Sequence, residues 1–221
     1  MFAGGDRPAR LPEDLSDPAD GAFVACADRG LEHCLALGRR PDLVVGDFDS
    51  VAPALLGRPE CAGAERVALP AAKDASDLEV ALERLEAVPG LAEACLVGVS
   101  GGRTDHLLFN WTLAAARERP FALRLVDDAV DAREVRAGRP ARLDAAPGAA
   151  FSLLALRRAT GVATRGLRWA LAGATLEPGA TRGLSNEVVA PGAVEVRVAG
   201  GALLAMLVRG SGARPPPRAA P

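Results

Sequence analysis

Short apolar runs alternate with stretches of helical periodicity over the first 126 residues. Runs typical of buried strands lie at residues 23–27, 43–45, 66–69, 95–99 and 121–126. Helical spacing is found at residues 31–37, 77–87 and 106–117, and the clearest helix follows a capping box formed by Ser76 and Glu79. Strands and helices in alternation predict a parallel sheet with helices on its faces.

The pattern changes near residue 128, where the helical periodicity ends. Short strand-like runs at residues 151–156, 166–171, 194–198 and 202–208 are separated by Gly and Pro. We therefore expect an α/β fold class in two parts: a parallel-sheet domain over residues 1–128 and an antiparallel β-sandwich domain over residues 129–209. The Gly- and Pro-rich residues 210–221 predict a disordered tail.

The first strand is unusually short. Met1, Phe2 and Ala3 precede Gly4 and Gly5, which is a good signal for a strand followed by a loop. Central strands usually have about five or six residues. Either this strand is truncated or the true start of the protein lies upstream, and the pattern favours the second interpretation slightly.

Composition excludes several classes of function. The formal net charge is −2, Tyr is absent and aromatic residues make up 4% of the chain, so neither a basic surface nor stacking platforms for nucleic acid are expected. No apolar run has the roughly 20 residues of a membrane span or the features of a signal peptide. Four cysteines, at positions 26, 34, 61 and 95, lack the spacing of a zinc site. They favour a reducing cytoplasmic location.

Two acidic residues follow the second apolar run. Asp47 and Asp49 come directly after Gly46, at the end of a predicted buried strand. Open α/β sheets bind ligands at this edge, and paired carboxylates suit Mg²⁺ together with substrate phosphates. The alternative is a polar turn with no ligand.

Three further turns carry similar chemistry, and they lie at residues 27–30, 73–77 and 98–106. Because turns that follow parallel strands share one edge of the sheet, we expect the four turns to converge. Convergence would gather five carboxylates, which repel one another unless a cation lies among them. These carboxylates belong to Asp28, Asp47, Asp49, Asp77 and Asp105.

The glycine and basic residues of these turns suit an anion. Gly101 and Gly102 precede a helix, and Arg103 and Lys73 can contact phosphate oxygens. Each residue also has a purely structural interpretation. Asp77 could complement a helix dipole, Lys73 could be solvated surface, and the glycines could form a tight loop. His106 could be a helix-start residue, and Trp111 is expected in the core. The co-occurrence of these residues, rather than any single one, favours a site.

At these residues the sequence resembles the thiamine pyrophosphokinase family. The resemblance is carried by the runs Ala-Asp-Arg-Gly at 27–30, Pro-Asp-Leu-Val-Val-Gly-Asp-Phe-Asp-Ser at 41–50, Lys-Asp-Ala-Ser-Asp at 73–77 and Gly-Gly-Arg-Thr-Asp-His at 101–106, with Asn110. Later motifs lie at 166–171, 184–187 and 200–204. The match runs in order over about residues 22–208.

The resemblance implies a nucleotide-binding domain followed by a thiamine-binding β-sandwich, and a homodimer with the thiamine site at its interface. It implies that ATP and Mg²⁺ are bound and that a diphosphoryl group moves from ATP to the hydroxyl of thiamine, releasing AMP. Carried over by position, Asp47, Asp49 and Asp77 are the metal ligands, and these three with Asp105 are the catalytic residues. The expected nucleotide-binding residues are Gly5, Asp28, Gly30, Lys73, Gly102 and Arg103, and the expected substrate-binding residues are His106, Asn110, Ser185 and Asn186.

Two departures from the family pattern leave an alternative open. Arg29 stands where the family has a glycine, and Ser76 stands where it has a threonine. With the short first strand, Arg29 raises a second hypothesis, a catalytically weak module that binds nucleotide or thiamine. A metal-dependent nucleotide-sugar transferase is a third, since the Asp-Phe-Asp run fits its Asp-x-Asp pattern, but it does not explain the motifs at 101–106 or 185–186.

Overall fold

The structure, a computed structural model, describes residues 1–17, 21–49 and 51–209. The predicted disordered tail at 210–221 and the motif residue Ser50 lie outside these ranges. The chain forms two compact units, Met1–Asp128 and Ala129–Pro221. The first contains a parallel sheet and the second antiparallel sheets, so the predicted α/β fold class with an antiparallel C-terminal part is confirmed.

The first unit alternates strands and helices as the hydrophobic pattern predicts. Strand β5 pairs with β4, and β1 pairs with β2 and β2 with β3, all in parallel. Two short 3₁₀ turns and helix α2 are additional to the predicted elements. The bounds are β1 Ala25–Ala27, α1 Gly30–Ala36, β2 Leu43–Gly46, α2 Pro53–Leu56, β3 Glu65–Ala68, α3 Asp77–Leu85, β4 Glu93–Val97, α4 Thr104–Ala116 and β5 Ala122–Val126.

The first three residues join the two groups of strands into one sheet. Phe2 forms parallel bridges to Cys26 of β1 and to Val97 of β4. Its backbone nitrogen donates to the Ala25 carbonyl at 2.8 Å, and its carbonyl accepts from Ala27 at 2.8 Å. On the other side the Ala3 nitrogen donates to the Val97 carbonyl at 2.8 Å. This segment is therefore a short but fully paired central strand, which satisfies the backbone groups of both neighbours.

Helix α1 begins against this central segment, and that contact requires glycine at its first position. A Cβ atom on Gly30 would lie 2.1 Å from the Phe2 carbonyl oxygen. Side chains of α1 and of the sheet form one apolar core that includes Phe2, Leu31, Cys34 and Val44. Gly30, predicted as a nucleotide-binding residue, thus has a packing role beneath the sheet edge.

Helix α3 begins and packs as its sequence predicts. The hydroxyl of Ser76 accepts a hydrogen bond from the Glu79 backbone nitrogen at 3.2 Å, which satisfies one free N–H of the first turn. The helix packs against β1 and β2 through its apolar side. Its buried residues are Leu78, Ala81, Leu82 and Leu85.

The second unit is a sandwich of two antiparallel sheets. One sheet has the strand order β11-β8-β13-β6, and the other has the order β10-β9-β12-β7. Apolar residues from both sheets, among them Phe151, Leu203, Val162 and Val194, form a single core. The strands are β6 Val130–Arg136, β7 Ala141–Ala145, β8 Ala150–Ala155, β9 Ala159–Arg165, β10 Ala174–Leu176, β11 Asn186–Glu187, β12 Gly192–Arg197 and β13 Ala202–Val208.

One predicted strand is wrong. Residues 166–171 form a turn rather than a strand, and only Leu167 makes a bridge, to Val188. The apolar residues there pack at the edge of the core without a partner strand. The remaining predicted strands of this unit are present, and β6, β7, β9, β10 and β11 are additional to the prediction.

Two further observations concern location. Cys26, Cys34 and Cys61 are buried and Cys95 is half-buried, and all four are free thiols. Within residues 1–17, 21–49 and 51–209, no helix has the length and apolar character needed to span a bilayer.

We expect Gly30→Ala to destabilise the first unit, because its new methyl group collides with the Phe2 carbonyl and forces the central segment to shift. Overpacking of this kind costs about 1–3 kcal/mol of the free energy of unfolding, which urea denaturation measures. Gly63→Ala is the matched control, since a Cβ there meets no atom within 4 Å. Equal stability of the two variants would contradict the close contact.

Candidate active site

Four turns meet at the carboxyl edge of the parallel sheet. Asp28 follows β1, Asp47 follows β2, Gly4 follows the Met1–Ala3 segment and Gly98 follows β4. The turns after β4 and after Ala3 are tied together, since the Gly5 nitrogen donates to the Gly98 carbonyl at 2.8 Å. Three of the four turns expected to converge, at 27–30, at Asp47 and at 98–106, therefore follow strands at this edge. The fourth, at 73–77, reaches it through the ion pair of Lys73 with Asp47.

Three carboxylates come together at this edge. Oxygen atoms of Asp28, Asp47 and Asp49 all lie within 4.8 Å of one another. We call these three residues the acid trio. The Asp49 backbone nitrogen donates to Oδ1 of Asp47 at 3.2 Å, and this bond lowers the pKa of the Asp47 carboxyl. Asp47 is therefore ionised at neutral pH, and its charge adds to the crowding.

The backbone around the acid trio adopts an uncommon conformation. Asp28 has φ 47° and Phe48 has φ 60°, both in the left-handed region. Non-glycine residues in this region cost free energy and concentrate at functional sites. The left-handed residue Phe48 lies between Asp47 and Asp49 in a turn compact enough for their hydrogen bond to form.

The donor atoms of the acid trio suit a hard divalent cation. All are carboxylate oxygens, which Mg²⁺ prefers, and no His or Cys belongs to the group. A bound cation would also relieve the repulsion among three negative charges. The residues present therefore fit Mg²⁺.

Lys73 lies between Asp47 and Asp77. Its Nζ is 3.7 Å from Oδ2 of Asp47 and 3.2 Å from Oδ1 of Asp77. Burial alone would lower the pKa of Lys73, but the hydrogen bonds and charges of the two acids outweigh it and raise the pKa. The metal set predicted from the sequence was Asp47, Asp49 and Asp77. The structure brings Asp28 into the group and separates Asp77 from it by the lysine.

A cleft of about 440 Å³ opens at the same edge. It contains seven of the residues predicted for the site, together with Arg29 and Ser76. The predicted residues that line it are Gly5, Asp28, Asp77, Gly102, Arg103, His106 and Asn110. Asp47, Asp49, Lys73 and Asp105 are not lining residues, but each is connected to one of them through the acid trio or an ion pair.

Arg103 is held at the mouth of the cleft by Asp105. Its Nε and Nη2 donate to the two carboxylate oxygens at 3.1 and 2.5 Å. This bidentate pair lowers the pKa of Asp105 to about 2. Asp105 was predicted from the sequence as a catalytic residue, but a carboxylate with so low a pKa is a weak proton acceptor at neutral pH.

The glycine-rich turn and helix α4 form another wall of the cleft. Gly102 has φ 62°, and a Cβ there would meet no other atom, so its backbone faces open space. Asn110 donates from Nδ2 to the Val99 carbonyl at 3.2 Å and so anchors the turn to the helix. His106 is exposed at the start of α4.

Trp111 was predicted in the core but is only half-buried. Its Nε1 donates to the Ser100 hydroxyl at 3.3 Å. The tryptophan therefore contributes to the position of the glycine-rich turn. The periodicity of α4 did not show this role, since an apolar position on a helix is equally compatible with full burial.

In the second unit, Asn186 positions an exposed tryptophan. Its Oδ1 accepts from the Trp169 nitrogen at 3.1 Å and its Nδ2 donates to the Trp169 carbonyl at 2.8 Å. The Trp169 side chain is 49% exposed, and the guanidinium of Arg168 lies 5.9 Å from the ring centroid. Sequence reasoning treated Asn186 as a ligand contact and did not single out Trp169, although it lies in one of the motifs.

Ser185, beside Asn186, has a strained backbone. Its φ is 58°, and its nitrogen donates to the Ser152 hydroxyl at 3.0 Å. Leu184 and Val189, close to it along the chain, are 64% and 50% exposed. The segment 184–189 therefore combines backbone strain with exposed apolar side chains, two features typical of ligand or partner contacts.

Two models of one protein family match the chain in succession. The thiamin pyrophosphokinase catalytic domain matches residues 19–122, and the thiamin pyrophosphokinase vitamin B1 binding domain matches residues 141–203. A curated thiamine pyrophosphokinase of Bacillus subtilis strain 168 is 36% identical over 130 residues. This alignment covers 58% of the chain and 59% of that relative, less than two thirds of its length.

Solved structures of the same family share the fold. Thiamine pyrophosphokinase from Bacillus subtilis superposes with a TM-score of 0.76 at 24% identity, covering 93% of this chain and 96% of that one. A family protein from Enterococcus faecalis gives 0.74 at 25% identity, with coverage of 94% and 96%. The enzyme from Candida albicans gives 0.71 at 14% identity, with coverage of 94% and 88%.

These matches agree with the motifs described above. The catalytic-domain match contains the acid trio, Lys73 and all the cleft residues except Ala3, Gly4 and Gly5, and the second match contains Trp169 and Asn186. The two models follow one another in the order in which the two units occur. The chain belongs to the thiamin pyrophosphokinase family.

Proposed function

We propose that this chain is an active thiamine pyrophosphokinase, which transfers a diphosphoryl group from ATP to the hydroxyl of thiamine. The observation that carries the proposal is the convergence of the acid trio, Lys73 and Arg103 around one cleft, in a chain that matches both the catalytic and the vitamin B1 binding model. Carboxylates for a metal and cations for phosphates are what such a transfer needs.

The reaction makes one bond and breaks one. The hydroxyl oxygen of thiamine attacks the β-phosphorus of ATP, and the bond between this phosphorus and the oxygen bridging to the α-phosphorus breaks. AMP leaves with that oxygen, and the hydroxyl proton passes to a base. The protein contributes mainly by alignment of the two oxygens and by stabilisation of charge on the phosphates.

The proposed roles follow from position. Asp28, Asp47 and Asp49 would hold Mg²⁺, which when bound neutralises charge on the phosphates. Arg103 and the backbone of Gly102 face the cleft, where they can contact phosphate oxygens. Lys73 holds Asp47 and Asp77 in place and adds positive charge at the same edge.

Asp77 is the proposed proton acceptor. It lines the cleft, and it is not a member of the acid trio. Asp105, the other expected catalytic acid outside the acid trio, is not among the lining residues and is held ionised by Arg103. In this assignment the acid trio binds the metal, and the carboxylate of Asp77 accepts the proton.

The second unit is proposed to supply the thiamine site. The ring of Trp169 is exposed, and a π face attracts the cationic thiazolium of thiamine. The segment 184–189 is proposed to lie at a homodimer interface, since Leu184 and Val189 would lose exposure there. Light scattering that gave the mass of one chain would contradict the dimer. A cytoplasmic location is also proposed. It is supported by the four free thiols and is testable by cell fractionation.

The direct test is an assay with ATP, Mg²⁺ and thiamine, with chromatography of the products. We expect equal amounts of AMP and thiamine diphosphate. ADP with thiamine monophosphate would show transfer of a single phosphoryl group and contradict the proposal. Thiamine binding without turnover in a folded protein would favour the alternative of a catalytically weak binding module.

Asp28→Asn and Asp49→Asn should each lower kcat by at least about tenfold, which corresponds to about 1.4 kcal/mol of transition-state stabilisation. Each change removes one charged oxygen ligand, so both variants should also bind Mn²⁺, used as a spectroscopic substitute for Mg²⁺, more weakly than the wild type. Electron paramagnetic resonance measures the bound Mn²⁺. Asp74→Asn is the control, since Asp74 is an exposed acid of the turn at 73–77 and lies outside the acid trio. Wild-type kcat and Mn²⁺ affinity in Asp28→Asn would contradict Asp28 as the third metal ligand and favour Asp77 in its place.

Asn186→Ala should raise KM for thiamine, because Trp169 loses the two hydrogen bonds that hold its backbone. Loss of a positioned aromatic contact predicts an increase of about fivefold or more. KM for ATP should stay unchanged. Glu177→Ala is the control in the same unit, since Glu177 is exposed and pairs only with Arg158 among the interactions described. A parallel rise of both KM values would show general misfolding instead.

A further inference from the structure

We propose that Arg29 binds the polyphosphate of the nucleotide, a role that a glycine at this position cannot perform. The inference rests on the proposed function and extends it to a residue that departs from the family pattern. Arg29 follows Asp28 at the carboxyl end of β1 and lines the cleft together with Gly4, Gly5 and Arg103.

The base of the Arg29 side chain lies beside Gly4. A Cβ built on Gly4 would lie 3.2 Å from the Cβ of Arg29, which is tighter than an ordinary contact. The missing side chain of Gly4 leaves room for the first atoms of the arginine. The arginine side chain therefore begins beside a turn whose residues line the cleft.

The conformation at Arg29 does not call for glycine. Its φ is −56° and its ψ is −13°, an ordinary right-handed helical pair that any residue adopts. The arginine is thus accommodated without backbone strain. The hydrogen bonds of Phe2 and Ala3 to the neighbouring strands, and of Gly5 to Gly98, are formed beside it, so the arginine does not disturb the pairing of the sheet.

Arg29 is the uncommitted cation of this cleft. Lys73 is paired with Asp47 and Asp77, and Arg103 is paired with Asp105. Arg29 is exposed and forms no ion pair or side-chain hydrogen bond with any residue in the described ranges. Its charge also reaches the interior: burial lowers the pKa of His33, and the nearby guanidinium of Arg29 lowers it further.

Charge balance explains why this cation matters. The acid trio and Asp77 place four carboxylates at the sheet edge, opposed by Lys73. A polyphosphate approaching this edge meets negative charge, which a metal ion offsets only in part. A guanidinium free to form bidentate bonds with phosphate oxygens supplies the remaining attraction.

Calorimetry with the α,β-methylene analogue of ATP and Mg²⁺ tests the inference, because the bond that the reaction would break is blocked in this analogue. Arg29→Met should raise its Kd about tenfold, the effect of losing one charged hydrogen-bonding group. Arg29→Lys should recover part of the affinity through its point charge. Arg40→Met is the control, since Arg40 is an exposed arginine past the opposite end of α1.

Inorganic triphosphate distinguishes a phosphate contact from stacking on the base. If Arg29 contacts phosphate, Arg29→Met weakens triphosphate and the ATP analogue by the same factor. Loss of affinity for the analogue alone would overturn the phosphate contact, and so would wild-type affinity in Arg29→Met. Failure of the wild-type protein to bind the analogue at all would instead overturn the proposed function. Thermal denaturation should show all variants folded, since both arginines are exposed.

Discussion

The paired segment at the start of the chain holds the first unit together. Met1 to Ala3 fill the gap between β1 and β4, and their backbone groups bond to both strands. Without these bonds the facing edges of β1 and β4 would be left unpaired. The start of α1 at Gly30 and the turn at Gly5 both lie against this segment. The position of the Gly5 turn and of the start of α1 beside the cleft thus depends on three residues.

Electrostatic crowding is the second constraint on the molecule. Carboxylates that would be spread over a surface are gathered at one edge because parallel strands end there. Part of this negative charge is neutralised within the chain, since Lys73 forms ion pairs with two of the acids and Arg103 with one. Lys73 offsets only part of the charge of the acid trio, through Asp47. The three carboxylates still lie within 4.8 Å of one another, and this excess of negative charge favours a divalent cation.

The sequence predicted what depends on local pattern and on parallel topology. Periodicity located the helices and strands of the first unit, and the capping residue Ser76 located the start of α3. The sequence did not predict that Asp28, rather than Asp77, joins Asp47 and Asp49, because the ion pairs that Lys73 forms with Asp47 and Asp77 are seen only in three dimensions. It also predicted a strand at 166–171, where the structure has a turn with a single bridge, from Leu167 to Val188. The first strand is short in the sequence, which suggested that it was truncated or began upstream. Its hydrogen bonds to both neighbouring strands are visible only in three dimensions.

The left-handed residues Asp28, Phe48 and Ser185 have a consequence for ligand binding. A non-glycine residue in that conformation costs on the order of 1 kcal/mol, and the folded chain bears this cost before any ligand arrives. The loops that carry Asp47, Asp49 and Asn186 therefore do not have to search for their geometry on association. Preorganisation of this kind moves an entropic cost from binding to folding. The global stability of the protein is accordingly lower than relaxed turns would allow, in exchange for loops that are already set.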